Sequence, residues 1–305
     1  MINILISGAG GDVANGVLKS LLITKIKFNF YIVGSNKSVF KEYPLFNTFK
    51  SPLVQKKKHY INFLKDIIKK KKIDFFFPCI NSEINLISKN KSHLKCITLI
   101  DTYENVSVFN DKWRAYKFFV KNRIYTPVTK LLNSKIVKFN FPYIVKQRLG
   151  SGSKGMKLIN NKFEFSKLRI DKKYIMQEFL YGDDYTSGIY KINNKVKIIV
   201  FQRILVAGRT HYAKKINSQI VNCQLKNIFI KLGLSFANIQ FKLDTQKNIF
   251  VYEVNPRFSG TIGLQSIFFN YPFRFIKFHY KKKIFYNKKK KISAYRFNDF
   301  SVFGL

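Results

Sequence analysis

The chain has 305 residues, 46% of them hydrophobic, and a formal net charge of +40. That length and apolar share suffice for two or three modules with real cores and exclude a mainly disordered protein. No apolar run approaches the ~18 residues of a membrane-spanning helix, so membrane insertion is not expected. Met1 to Lys25 lacks the basic start of a secretion signal. Cys79, Cys96 and Cys223 have neither metal nor redox spacing, which suits a reducing cytoplasm. The charge comes mostly from lysines spread along the chain with Ile, Asn, Phe and Tyr, the mixture that AT-rich coding favours. No recognition helix or RNA-binding signature accompanies it, so no specific nucleic-acid partner is expected.

Met1–Ser7 reads as a strand that runs into Gly8-Ala-Gly-Gly11, Val13–Ile23 as a helix and Phe30–Gly34 as a second strand. This is the βαβ opening of an open α/β sheet. The glycine cluster leaves three readings open: a nicotinamide site, a non-nucleotide substrate loop, or a tight turn that only packs. The first is weakened because Val33-Gly-Ser-Asn36 stands where a ribose-binding acid belongs. Tyr60–Lys71 has helical periodicity, Asp74–Pro78 reads as a buried strand, and Asn81–Ser88 and Ile97–Ile100 continue the alternation.

The character changes at Asn110-Asp111, which caps a helix reaching about Asn122, with Tyr125-Thr-Pro127 ending it. Phe141–Lys146 is a strand leading into the loop Arg148-Leu-Gly-Ser-Gly-Ser-Lys-Gly155, and Met156–Ile159 returns as a strand. This loop lies between strands and breaks the P-loop pattern at Met156. Beside Lys146 and Arg148, its amides and the Lys154 ammonium suit a triphosphate. Tyr174–Leu180 is a strand broken by Tyr181-Gly-Asp-Asp184. Tyr185–Lys191, Lys195–Leu205, Phe236–Leu243 and Ile249–Val254 read as successive strands of an antiparallel sheet.

The last of these carries the sharpest signal. Glu253, Asn255 and Arg257 stand at alternate positions, so on an extended strand all three share one face. Carboxylate and amide oxygens are hard ligands for Mg²⁺, and a guanidinium neutralises phosphate. Gln240 precedes Glu253 by a strand–turn–strand distance, which brings its oxygen near Glu253 and Asn255 in an antiparallel pair.

With these elements in order, the chain resembles the ATP-grasp superfamily, nearest to proteins similar to the carbamoyl-phosphate synthase large chain. The motifs that carry the likeness are Asp111-Lys112, Phe141-Pro-Tyr-Ile-Val-Lys146 through Gly155, Gln177-Glu178-Phe179-Leu180 with Gly182 and Asp184, and Glu253-Val-Asn-Pro-Arg257 with Ser259-Gly260. The resemblance implies an α/β (α+β grasp) fold: a Rossmann-like pre-ATP-grasp domain over 1–108, a small lobe with the glycine-rich loop over 109–185, and a lobe with the metal site over 186–305. It implies ATP and Mg²⁺ (or Mn²⁺). Lys112, Lys146 and Arg148 would lie at the phosphates, with Ser151, Gly152, Ser153, Lys154 and Gly155 folded over them. Gln177, Glu178, Phe179 and Leu180 would form the adenine hinge, with Asp184 on the ribose. Gln240, Glu253 and Asn255 would hold the metal, and Arg257, Lys146 and Arg209 would act in catalysis. His211 is the histidine nearest the loops that such proteins place over the site.

The implied activity is a cytoplasmic carboxylate–amine (or carboxylate–thiol) ligase working through an acyl phosphate, with small-molecule acid and amine substrates. A cell-surface polysaccharide or amino-acid derivative setting is the family habit, and a homodimer is compatible with it. Gln147 replaces the usual proline, Ser187 stands where many members carry an acid, and the loops around Ala213–Leu225 look short. Gln147 and Ser187 keep a second reading open, a nucleotide-binding regulatory or partner protein without ligase turnover.

Overall fold

Short apolar runs rich in Ile, Val and Phe become strands because branched and aromatic side chains pack well on a pleated surface. The structure, a computed structural model, describes residues 1–24, 26–133, 140–150, 155–193 and 195–280. The chain opens with β1 (Ile2–Ser7), α1 (Asp12–Leu22), β2 (Phe28–Gly34), β3 (Asn47–Lys50), α2 (Lys57–Lys70), β4 (Phe75–Phe77), α3 (Ile84–Lys89) and β5 (Ile97–Thr98). Then come α4 (Tyr103–Phe109), α5 (Lys112–Lys121), β6 (Thr129–Leu131), β7 (Tyr143–Gln147), β8 (Lys157–Ile159), α6 (Lys162–Ser166) and β9 (Tyr174–Glu178). The sequence of elements continues with β10 (Asp184–Ile192), β11 (Lys195–Val206), β12 (Arg209–Ile216), α7 (Gln219–Leu232), β13 (Phe236–Leu243), β14 (Ile249–Asn255), α8 (Ile262–Phe268) and α9 (Tyr271–His279). Among the described residues no helix is long and apolar enough to cross a membrane.

The contacts divide the chain into two compact units, Met1–Ile100 with the chain from Arg257 onward, and Asp101–Pro256. This division differs from the three parts expected at 1–108, 109–185 and 186–305. Residues 101–256 cohere as one unit, and residues 257–280 join the first. Aromatic packing explains the return: Phe258 stacks on Phe77 at 6.5 Å, and Phe275 meets both Phe75 and Phe77 at 6.2 Å.

The first unit is a parallel sheet in the order β3-β2-β1-β4-β5. Its glycine turn is closed to anions at three amides. Ala9 N–H donates to Val33 O (3.0 Å), Gly11 N–H to Gly8 O (2.9 Å) and Gly10 N–H to the Tyr43 hydroxyl (2.7 Å). Of the three readings of Gly8–Gly11, the packing turn is the one this bonding supports. Gly16 serves packing too, since a Cβ there would fall 2.6 Å from Ile262 Cγ2. Beside the turn, the fully buried Glu83 accepts from the Ser7 and Tyr60 hydroxyls and from the amides of Cys79 (3.0 Å) and Ile80 (2.9 Å). Burial pushes the Glu83 pKa up, against the pull of those donors.

The second unit holds two antiparallel sheets. The smaller, β6-β9-β7-β8, packs Tyr143, Val145, Ile159 and Met176 together. The larger, β12-β11-β10-β13-β14, lays Ile189, Val200, Ile239, Phe241 and Val251 against Val221, Leu225 and Phe229 of α7. Helix α7 starts where Ser218 caps Val221 N–H and stops at Gly233, whose φ of 64° is left-handed. The strands expected from sequence in this sheet are present, and β12 joins them at its edge. Arg209–Ile216 is polar and largely exposed, so it lacks the alternation that marks a half-buried strand. Strand β14 ends at Asn255, so Arg257 stands outside the strand that was expected to carry it.

Glu83→Gln keeps the shape of the hub but points an amide N–H at donors. It is expected to destabilise the protein by about 1–3 kcal/mol, read as a lower midpoint in urea unfolding.

Candidate functional site

Asp111 caps α5 by accepting from Trp113 N–H (2.9 Å) and Arg114 N–H (3.4 Å). The same carboxylate takes Arg148 in a two-point pair, Nε–Oδ1 at 3.1 Å and Nη2–Oδ2 at 2.5 Å. Burial opposes the ionised form, but the guanidinium and the two amides win and hold Asp111 below the usual carboxylate range. The pair seats the start of α5 against the end of β7. There the Lys112 ammonium donates to Gly150 O at 2.9 Å, at the root of the glycine-rich loop.

A cavity of about 240 Å³ opens between the two sheets of the second unit. Lys112, Lys146 and Gly150 line one wall, and Glu178, Phe179 and Leu180 line the hinge. Asp184, Gln240, Tyr252 and Glu253 form the face contributed by the larger sheet. Lys146 is the electrostatic outlier. Only 9% exposed, it is lowered to about 8, first by desolvation, with Lys112 adding to the effect and Glu253 and Asp184 opposing it. Its ammonium lies 5.5 Å from the centre of the Tyr252 ring, a favourable placement for a cation short of water.

The hinge is set by β9 and β6. Glu178 N–H donates to Val128 O (2.9 Å), and its carboxylate accepts from Val128 N–H (3.1 Å). The Gln177 side chain is buried, with Nε2 on Thr129 Oγ1 at 2.9 Å. Phe179 and Tyr181 meet edge to face at 4.9 Å, and the Lys242 ammonium donates to Gly182 O at 2.5 Å.

On the larger sheet, Gln240 stands opposite Glu253 and Asn238 opposite Asn255. The register slips between Gln240 and Phe241, so Tyr252 is the extra residue of a β-bulge. Adjacent residues of a regular strand face opposite ways. The bulge is what lets Tyr252 and Glu253 both line the cavity. On this same face, opposite Asp184, lies Arg203, whose side chain is 8% exposed. Its Nε pairs with Asp184 Oδ1 (2.5 Å), and its Nη2 donates to Gln240 Oε1 (2.9 Å) and to the Tyr252 hydroxyl (3.0 Å). Tyr252 in turn donates to Asp184 Oδ2 at 2.7 Å, and burial pushes its hydroxyl well up.

The sequence profile of the ATP-grasp domain matches residues 109–261. The chain belongs to the ATP-grasp domain family. Its fold is similar to that of an L-amino acid ligase from Bacillus licheniformis, with TM-score 0.68 and 13% identity over 86% of this chain and 69% of that one. It is also similar to an N5-carboxyaminoimidazole synthetase from Staphylococcus aureus complexed with ADP, with TM-score 0.63 and 15% identity over 85% and 71%. In sequence, 36% identity over 84 residues links it to an uncharacterized protein of Mycoplasma genitalium, over 27% of this chain and 29% of that protein. A D-alanine–D-alanine ligase of Petrotoga mobilis shares 30% identity over 101 residues, 31% of this chain and 34% of the ligase. The chain thus spans about a third or less of the length of these two relatives.

Within the ATP-grasp unit, Lys112, Lys146, Gln177, Glu178, Phe179, Leu180, Asp184, Gln240 and Glu253 come together around one cavity. Asn255 is buried beside Glu253 and is not among the described lining residues, with Nδ2 on Glu253 Oε1 at 3.0 Å. Arg148 faces Asp111, and Gly155 reopens the described chain with a left-handed φ of 70°. Ser151, Gly152, Ser153 and Lys154 lie outside the described residues. Arg209 and His211 belong to β12 and are not among the described residues lining the cavity. Arg257 falls in the first unit, where its Nε donates to Asn81 Oδ1 at 2.9 Å.

Ser187 stands off the cavity face. It shares a side of β10 with Tyr185 and Ile189, which pack into the core, and its hydroxyl reaches Ile239 O at 3.5 Å. Sequence reading missed Arg203 and Tyr252. Hairpin arithmetic finds the first, because a turn between Ile192 and Lys195 puts Arg203 opposite Asp184. Nothing in the sequence announces the bulge that exposes the second.

Glu253 and Asn255 supply hard oxygens of the kind Mg²⁺ or Mn²⁺ takes. Among the described residues no group of three or more His, Cys, Asp and Glu gathers. The donor set therefore fits a cation that shares its shell with phosphate oxygens and water, the usual habit of Mg²⁺.

The Lys146 ammonium is expected to titrate near its value of about 8. Lys112→Met removes a like charge and moves the midpoint up, whereas Glu253→Gln removes an opposite charge and moves it down. Nitrogen-detected NMR of the lysine side chain reads both shifts.

Proposed function

We propose that the protein is an ATP-dependent ligase that activates a small-molecule carboxylate as an acyl phosphate and joins it to an amine. The observation that carries this reading is that Lys112, Lys146, an extended hinge and the Glu253 carboxylate line one cavity. The ligases among the family relatives support it. Glu178 N–H is already bonded to Val128 O. An adenine at the hinge would therefore use the Glu178 carbonyl and the Leu180 amide. Both Asp184 oxygens are engaged, but each keeps a further lone pair for a ribose hydroxyl.

Lys112 and Lys146 would bind the phosphates, and Lys146 would regain its full charge against them. A divalent cation held by Glu253 and Asn255 would offset charge on the transferred phosphoryl group. In the reaction, a substrate carboxylate oxygen bonds to the γ-phosphorus and ADP leaves. The amine nitrogen then attacks the acyl carbon, phosphate departs with the C–O bond electrons, and the amine proton passes to solvent. Positioning and charge neutralisation are the protein's contribution, and the chemistry needs no nucleophilic side chain.

Purified protein with Mg-ATP and pools of acids and amines should release ADP only when an acid is present. Glu253→Ala should cut that turnover by about 100-fold or more while leaving the unfolding midpoint close to wild type. ATP binding with no acid-dependent turnover in any pool would favour the regulatory reading instead. Calorimetry in buffers of different ionisation enthalpy supplies a second check. Because phosphates favour the charged lysine, binding should take up protons near pH 8 and weaken as pH rises above it, by up to about tenfold per unit.

A further inference from the structure

The Gln240 carboxamide is held at both ends. A guanidinium can only donate, so the Gln240 atom 2.9 Å from Arg203 Nη2 is its oxygen, and turning the amide round would set N–H against N–H. At the other end, Gln240 Nε2 lies 3.4 Å from Asn238 Oδ1. Asn238 is itself fixed, because its Nδ2 donates to Thr186 Oγ1 (2.7 Å) and to Ser187 O (3.1 Å), which leaves Oδ1 as the acceptor toward Gln240. Arg203 has no freedom to retreat. It is buried and pinned by Asp184 and by the Tyr252 hydroxyl, and those partners keep it charged despite its desolvation.

A cation bound to Gln240 Oε1 would sit about 2.1 Å from that oxygen. It would then share a single carboxamide oxygen with a guanidinium already at hydrogen-bond distance. Two positive groups on one neutral oxygen repel each other, and the nearest carboxylate to Arg203, Asp184, is already paired with it. Across the strand pair Glu253 brings a carboxylate to the cavity wall, and Asn255 adjoins it on the same strand face.

We propose that Gln240 is not a metal ligand. Arg203 draws its carboxamide out of the ligand set, and the nucleotide's cation is taken by Glu253 and Asn255 alone. This rests on the nucleotide reading given above. Arg203 is then a positioning residue, acting through Asp184, Gln240 and Tyr252.

Mn²⁺ is the probe, titrated in saturating ADP with the free ion followed by electron paramagnetic resonance. Glu253→Gln should weaken Mn²⁺ binding by about 10–100-fold. Gln240→Met and Gln240→Glu should both stay within about threefold of wild type, the new carboxylate of the latter pairing with Arg203. Gln240→Glu is nearly isosteric and gains a cation partner, and matched thermal midpoints confirm that both variants are folded. Were Gln240 a ligand, Gln240→Glu would put a charge on the metal and tighten binding about tenfold, and Gln240→Met would loosen it as Glu253→Gln does. Either result overturns the proposal. A wild-type protein that binds no ADP overturns the nucleotide reading beneath it, a failure seen before any metal is added.

Discussion

A guanidinium with its side chain 8% exposed must find acceptors, and Arg203 draws them from three other strands of its sheet. Asp184 opens β10, Arg203 itself sits late in β11, Gln240 lies on β13 and Tyr252 on β14. Buried ion pairs seldom add net stability, because desolvation offsets most of the Coulomb gain. What this pair supplies is register. Slipping any of these strands by one residue would send its partner to the other face and leave a charge unanswered in the sheet. The cavity wall depends on that register, since Asp184, Gln240 and Tyr252 are both the acceptors of Arg203 and the lining of the site.

Against this fixed wall, Lys146 is the group held in an unfavourable state. It is buried on β7 with Lys112 nearby, and the acids that counter it stand across the cavity. Such an arrangement stores a preference for an incoming anion. A phosphate would supply the charge that water and neighbours withhold, so part of its binding energy would be prepared by folding. The Asp111–Arg148 pair contributes by geometry: it holds the start of α5 to the end of β7 and so keeps the two lysines on one wall.

Much of this was legible in the sequence because it rests on short-range rules. The βαβ opening, the strand runs of the grasp unit and the spacing of Glu253 and Asn255 all follow from side-chain periods of two or 3.6 residues. The turn Asp244–Asn248 brings Gln240 near Glu253, but its register alone pairs Gln240 with Tyr252, and the bulge moves the pairing to Glu253. What escaped depends on a departure from those periods or on contacts far apart in sequence. The bulge at Tyr252 adds one residue that no pattern marks. Strand β12 is an exposed edge without an apolar face. The return of Phe258 and Phe275 to Phe77 joins residues nearly two hundred positions apart. The acid expected at Ser187 was weighed as a loss at the site, yet β10 turns that position into the core.

The charge of +40 takes on a different meaning once the acids are located. The chain has 56 Lys and Arg against 16 Asp and Glu, so a scattered pattern would leave most acids as incidental neighbours of lysines. Several of the described ones are instead found where a donor needs them. Glu83 collects two hydroxyls and two amides, Asp101 receives Ser235 N–H, and Asp111 caps α5 and holds Arg148. Asp74 takes Asn3 N–H, Glu178 takes Val128 N–H, and Asp244 closes its own turn on Asn248. Asp184 answers Arg203, and Glu253 brings its carboxylate to the cavity wall. The three acids lining the cavity, Glu178, Asp184 and Glu253, face the three lysines Lys112, Lys146 and Lys242. Among the described residues lining the cavity, acids and lysines are thus equal in number, a balance that would suit a nucleotide together with a divalent cation. A cavity as basic as the rest of the surface would hold the phosphates and repel the metal.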